Sequence, residues 1–334
     1  MTSFEILIQN NLYFWLRHVS WNQQVNVVEL IAERENIAKA IKKGIAHNKT
    51  FDLAVHLLCV SADVMMQIGG SRQWNSMAKL ALSRCLAQKD DYLKGRLLLC
   101  RAKYLYRQEM YTESIHILAD SAPIVLTNQD ADLLWQIFYY KGLNQLKIGN
   151  LDGAHQSADE IDRLLEKFTL LNPDLCKGSV GMLCSEISIH LPDWGRAKDS
   201  LKFSIHHLTK AGTEHHLFKA YFLLGEYYNR QEKFEDALQA WTRSLELLPE
   251  GFDFPTRSDL IVKTAQLQLG VGDIEQAEML LQKIDFSMLR LLECNAIHLD
   301  AVLAYGRLAE AQGNFKQAEL IFEDAKTLEA EIKS

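Results

Sequence analysis

The chain has 334 residues, of which 48% are apolar and 24% charged, a composition too apolar for a disordered protein. Five prolines and 17 glycines exclude a proline-rich linker and a collagen-like chain. Lysine and arginine number 36 against 43 aspartates and glutamates, a net charge of -7, which argues against a general nucleic-acid or membrane-surface binder. Compact domains of about 150 residues would give two of them at this length, unless a repeat array escapes that arithmetic.

From the N-terminus, the stretch Met1 to Asn10 has no basic region and carries Glu5 among its apolar residues, so it is not a secretory signal. No run of about 18 residues is free of charge, which argues against a membrane span. The six cysteines, Cys59, Cys85, Cys100, Cys176, Cys184 and Cys294, include no C-x-x-C pair. They read as reduced structural thiols, and a cytoplasmic location is expected.

A helical capping segment is predicted over 1–50 and a repeat array over 51–334. First helices are predicted at 53–68, 92–108, 130–148, 175–190, 214–231, 256–270 and 287–312. Second helices are predicted at 72–88, 111–120, 151–171, 193–210, 234–248, 273–284 and 315–332. The second helices share a pattern: a residue at a predicted crossing, followed four positions later by another. The pairs are Met77/Ala81, Ser114/Leu118, Ala154/Ala158, Ala197/Leu201, Ala237/Trp241, Ala277/Leu281 and Ala318/Phe322. Successive anchors lie 37, 40, 43, 40, 40 and 41 residues apart. Gly149-Asn150, Gly272-Asp273 and Gly313-Asn314 each pair a left-handed C-cap with an N-cap ahead of a second helix. Pro123, Pro173, Pro192, Pro249 and Pro255 are all placed in or beside connections. No period-two alternation appears, so no sheet is expected.

The clearest unit is Tyr221-Phe-Leu-Leu224-Gly225-Glu-Tyr-Tyr228, then Phe234-Glu-Asp-Ala237 with Trp241, Ser244 and Pro249. Its spacing resembles the tetratricopeptide repeat, with Tyr221 at the tryptophan position. The spacing near forty exceeds the standard 34, so each helix should be about one turn longer or each loop longer. The resemblance implies an all-α, right-handed α-solenoid of about seven helix pairs. Farther upstream stand Trp21, Val28-Glu-Leu-Ile-Ala-Glu33-Arg-Glu-Asn36, Phe51-Asp-Leu-Ala54, Gly69-Gly-Ser-Arg-Gln-Trp74 and Leu80-Ala-Leu82. This order resembles the helical segment leading into the tetratricopeptide sensor of bacterial signal-transduction ATPases with numerous domains, the STAND class of MalT-like and AfsR-like regulators. Glu33 and Asn36 match that family's acidic residue and asparagine. The chain carries no G-x-x-x-x-G-K-[ST] loop, so the ATPase module is absent from it.

No nucleophile elbow, H-E-x-x-H, EF-hand or dinucleotide fingerprint occurs, and neither a catalytic residue nor a cofactor is expected. His206, His207, His215 and His216 cluster around one turn, but neighbours on a helix point about 100° apart, so a metal site is not expected there. Cys176 and Cys184 would lie about 12 Å apart along one helix and cannot share an ion. Ser204 and Cys184 fall at core offsets.

A tetratricopeptide array binds along the face lined by first helices. The offsets exposed there give Arg96, Lys103, Tyr106 and Arg107, then Gln136, Tyr139 and Lys147. Farther on they give Met182, Glu186 and His190, then Lys219, Phe222, Glu226, Asn229 and Arg230, and finally Gln266, Asp300, Arg307 and Glu310. The early stretch is basic with interleaved aromatics, which points to another protein or peptide with an acidic segment. The alternative is an ordinary solvated helix face. Membrane is not expected as a partner, and nucleic acid would need a longer basic track. The last helix either caps itself with Glu323, Asp324, Lys326 and Glu329, or docks on a partner or a second copy. The expected role is a non-enzymatic scaffold, a sensor or adaptor regulating a bacterial signalling or defence ATPase or protease on another polypeptide. The alternatives are a peptide-pheromone receptor, an assembly chaperone and, last, a metal-dependent enzyme.

Overall fold

Every residue placed at a helix crossing is buried in the computed structural model: Met77 is 5% exposed, Ser114, Ala154, Ala197, Ala237 and Ala277 are 0%, and Ala318 is 2%. A small side chain at that point lets two helix backbones approach, and the larger residue four positions on fills the space beside the contact. The structure describes residues 2–19, 27–67, 71–88, 90–248, 253–291 and 294–333. Trp21, Gly69, Gly70 and Pro249 lie outside them.

Among the described residues the chain forms helices and no strand. It divides into two compact units, Met1–Gly212 and Thr213–Ser334. The first holds α1 (Ser3–Val19), α2 (Val27–Ala46), a 3-10 turn (Asn48–Thr50), α3 (Phe51–Gln67), α4 (Ser71–Gln88) and α5 (Asp91–Arg107). It continues with α6 (Tyr111–Thr127), α7 (Ala131–Lys147), α8 (Leu151–Lys167), α9 (Pro173–His190) and α10 (Trp194–Ala211). The second holds α11 (Glu214–Asn229), α12 (Phe234–Leu247), α13 (Phe254–Gly270), α14 (Ile274–Leu281), α15 (Phe286–Leu291), α16 (Asn295–Ala311) and α17 (Phe315–Lys333). Two 17-residue helices such as α7 and α8, plus their turns, account for a repeat longer than 34 residues.

Within the first unit each odd-numbered helix packs on its even-numbered partner, and each even-numbered helix packs on the next odd-numbered one. The first helices α3, α5, α7 and α9 also lie side by side as one layer. Gly142 lets that layer close: a Cβ there would meet the Leu183 side chain of α9 at 2.6 Å. The leading helices continue the same plan, since α1 packs on both α2 and α3, and α2 on α3 and α4.

The turns follow from their residues. Gly149, Gly272 and Gly313 adopt φ of 77°, 87° and 78°, a left-handed conformation that favours glycine. Asn150 and Asp273 accept the backbone N–H of Gly153 and Gln276 at 3.0 and 3.2 Å, and Asp90, Asp130, Asn172 and Asp193 cap their helices the same way. Two expectations change. Pro123 lies inside α6 rather than in a connection. The segment expected as one first helix over 287–312 is two helices, α15 and α16; Asp285 caps the start of α15 by accepting the N–H of Ser287 and Met288 at 2.9 and 3.1 Å.

Candidate functional site

The first-helix layer of the N-terminal unit carries a hollow of about 240 Å³ between α3, α5 and α7. Arg96, Leu99 and Lys103 line it from α5, Cys59 and Val60 from α3, and Leu133 and Gln136 from α7. Arg96 and Lys103 are seven residues apart, so two helical turns place them on one stripe, and both are half-buried.

Each cation is held in place. Arg96 Nη2 lies 3.1 Å from His56 Nδ1. Guanidinium is only a donor, so the imidazole nitrogen accepts. Burial, followed by the charge of Arg96, holds the His56 pKa below its ordinary value, which keeps that ring neutral. The guanidinium also lies 5.9 Å from the Tyr92 ring centroid, and the Lys103 ammonium lies 5.2 Å from that of Tyr140, within cation–π range. The Gln136 amide donates to the carbonyl of Asp132 at 3.1 Å.

The aromatic residues form a cluster of their own. Tyr106 meets Tyr111 and Tyr140 at centroid distances of 5.7 and 6.0 Å, and Tyr139 meets Tyr140 and Trp135 at 5.7 and 6.4 Å. Burial pushes the Tyr106 and Tyr139 phenols well up, and the Glu186 carboxylate acts in the same direction. These rings therefore stack chiefly on one another. Tyr140, absent from the sequence-based set, is the ring under Lys103. Its offset beside Tyr139 gave no signal, because the contact joins two repeats.

Arg107 and Lys147 are exposed in the last turns of α5 and α7, where a cation also complements the helix dipole. His190 is exposed, with Nδ1 3.2 Å from the Glu186 carbonyl. Met182 is 1% exposed and belongs to the core rather than to a binding face.

The second unit has a different local chemistry. On α11, Phe222 lies under the Lys263 ammonium at 4.8 Å, and that ammonium pairs with Glu226 at 3.1 Å and Asp259 at 3.3 Å. Burial works against the charged lysine, but the carboxylates of Asp259 and Glu226 outweigh it and hold its pKa above the usual value. Lys263 was not among the residues read from the sequence, although Asp259 four positions earlier marks it as a helix-surface pair. Lys219 lies 5.8 Å from the Phe218 ring. Asn229 and Gln266 are half-buried, while Arg230, Asp300, Arg307 and Glu310 are exposed.

Chemistry finds little support elsewhere. His207 Nδ1 lies 2.6 Å from Asp174 Oδ1, and the His215 side chain lies outside the description. Among the described residues no group of three or more His, Cys, Asp or Glu is placed to hold a metal ion. The Ser204 hydroxyl donates to the carbonyl of Gly178 at 2.7 Å, and burial pushes the Cys184 thiol up to about 11. Among the described residues no helix is long and apolar enough to cross a membrane.

No protein-family model matches the chain, and no curated protein matches it. Solved structures do. The apo form of the quorum sensor NprR from B. thuringiensis superposes with a TM-score of 0.64 at 11% identity, over 98% of this chain and 89% of that one. A STAND protein with a tetratricopeptide-repeat sensor from Pyrococcus horikoshii gives 0.62 at 14% identity over 95% of this chain, which spans 46% of the length of that protein. A Rap protein complexed with Competence and Sporulation Factor gives 0.57 at 13% identity, over 85% and 76%. Identities this low carry the fold alone. The chain has a tetratricopeptide-like α-solenoid fold.

Proposed function

We propose that the chain is a non-enzymatic scaffold that binds a protein or peptide through an acidic segment laid along the first-helix layer of its N-terminal unit. In this reading it is a cytoplasmic sensor or adaptor, and the bound partner is a signalling or defence ATPase or protease on another polypeptide. The observation that carries it is the hollow between Arg96 and Lys103. Two half-buried cations flank an apolar floor of Val60, Leu99 and Leu133. A carboxylate between them gains charge-assisted contacts in a partly desolvated site, and the floor takes the neighbouring apolar side chain.

The test is fluorescence anisotropy with a labelled peptide of alternating glutamate and leucine, against the same peptide with glutamine. Saturable binding of the acidic peptide alone is expected. It should be lost in the variant carrying Arg96→Glu, Lys103→Glu and Arg107→Glu together, with the circular dichroism spectrum unchanged. Equal binding of both peptides, or binding that survives the triple change, overturns the acidic-partner reading.

A second reading is a peptide-pheromone receptor. It is favoured by superposition on the quorum sensor NprR over 98% of this chain and on a Rap protein complexed with Competence and Sporulation Factor. A receptor would be stabilised against heat by a short free peptide, with a stabilisation that grows as the logarithm of its concentration above the Kd, whereas an adaptor would respond only to its folded partner.

A further inference from the structure

The repeat plan fails at one point in the second unit. Second helix α12 has 14 residues and α17 has 19, but α14 stops after 8. The chain then turns, is recapped by Asp285, and resumes as α15 along the same neighbour. Glu278 of α14 accepts from Gln312 Nε2 beside the C-terminal end of α16, at 2.8 Å. Farther along α16, the Phe286 ring meets Tyr305 at 5.6 Å and His298 at 5.5 Å.

The break opens a pocket of about 410 Å³ between α15, α16 and α17. Val302 and Tyr305 form one wall, Ile321 and Leu328 the other, and Phe286 closes an end. Arg290 and Asp324 stand at the pocket, both exposed. Its volume lies in the range of small-molecule sites, about 300 to 1,000 Å³, which the hollow in the first unit does not reach.

We propose that this pocket binds a free amino acid with a bulky apolar side chain, its carboxylate beside Arg290 and its ammonium beside Asp324. The walls supply the apolar environment, and the two opposite charges are the complement of a zwitterion. A simple anion would meet Asp324, and a simple cation would meet Arg290. His298 adds no third charge at neutral pH, since burial and the charge of Arg290 both hold its pKa down. Glu278 is not among the residues that line the pocket, although its carboxylate joins burial in pushing the Tyr305 phenol up. The site is separate from the groove of the N-terminal unit, so it stands whether or not that groove binds an acidic segment.

Isothermal titration of the full chain with phenylalanine, leucine and isoleucine tests it, with N-acetyl-phenylalanine and phenylalanine amide as controls. At least one free amino acid should bind saturably. Affinity should fall about tenfold or more on acetylation or amidation of the ligand, and likewise in Asp324→Asn and Arg290→Gln. Val302→Trp should fill the pocket and abolish binding. Should that variant fail to fold, the two charge variants at exposed positions carry the test. No heat from any of the three at about 10 mM overturns the proposal. Equal affinity for the acetylated or amidated ligand overturns it too, and so does binding that persists in folded Val302→Trp.

Discussion

Gly225 on α11 faces the indole of Trp241 on α12, and a Cβ added to Gly225 would land on Cδ1 and Nε1 of that ring. The ring cannot retreat freely, because its Nε1 donates to the carbonyl of Phe222 at 3.2 Å and the side chain is only 2% exposed. Helix propensity favours alanine over glycine by about 0.8 to 1.0 kcal/mol. Gly225→Ala should nevertheless destabilise, since forcing a methyl into a packed crossing costs about 1 to 3 kcal/mol. Gly306 faces the Phe322 ring in the same way, but that ring is half-buried and has no polar tether. Gly306→Ala should therefore cost less. Urea midpoints of the two variants check the order; a Gly225→Ala protein at or above wild-type stability would mean that the crossing has slack.

A buried hydroxyl recurs at these crossings. Ser121 donates to the carbonyl of Gly95 at 3.2 Å, Ser204 to Gly178 at 2.7 Å and Ser244 to Phe218 at 2.8 Å. Each serine stands seven residues after an anchor and 26 after its acceptor, so one bond ties the second helix of a pair to the first. Ser244→Ala should lower stability by about 0.5 to 1.5 kcal/mol. Ser244→Val should cost more, since the larger side chain must also fit against Phe218, which is 0% exposed. Thermal melts of the pair separate the lost bond from the added volume.

The turns offer a substitution with the opposite sign. Glu232 adopts φ of 59° where the equivalent turn residue Gly272 adopts 87°. A side chain in the left-handed region costs about 1 to 2 kcal/mol, and glycine's extra unfolded-state freedom returns about 0.5 to 1 of it. Glu232→Gly should therefore raise stability by about 0.5 to 1 kcal/mol, while Gly272→Ala should lower it by about 1. Calorimetric melting temperatures that move the same way in both variants would contradict this account.

The repeat was readable because its constraint is local: a small residue at a crossing shows in the sequence wherever the crossing falls, and all seven anchors, six of them serine or alanine and the first Met77, are buried. What depends on contacts between repeats was not readable. Tyr106 and Tyr139 sit on the expected helices, but their rings meet across α5 and α7 through Tyr140, a contact that no single repeat encodes. The pairing of Lys263 with Glu226 likewise joins α13 to α11. Asp285 caps the start of α15, but the apolar pattern over 287–312 did not show that α15 and α16 are separate helices. Pro123 was placed in a connection, and α6 continues past it to Thr127, so the rule that proline ends a helix gave the wrong boundary there.

Burial pushes the thiols of Cys85 and Cys184 up to about 11 and that of Cys176 to about 12, from an ordinary 9.0. The thiolate is the reactive form, so these three should resist iodoacetamide at pH 8 in the native protein and react once urea unfolds it. Their pKa values are raised in the folded state, so each stabilises the fold fully below pH 9.0 and loses that contribution as pH rises toward its folded value of about 11 or 12. Stability should thus decline between about pH 9 and 11. Cys176 is 0% exposed, and replacing it with alanine removes a titrating group at the cost of a small cavity. Cys176→Ala should be less stable at pH 7 but show a shallower decline above pH 9.0. A parallel decline in wild type and variant would show that the thiol is not held apart from water.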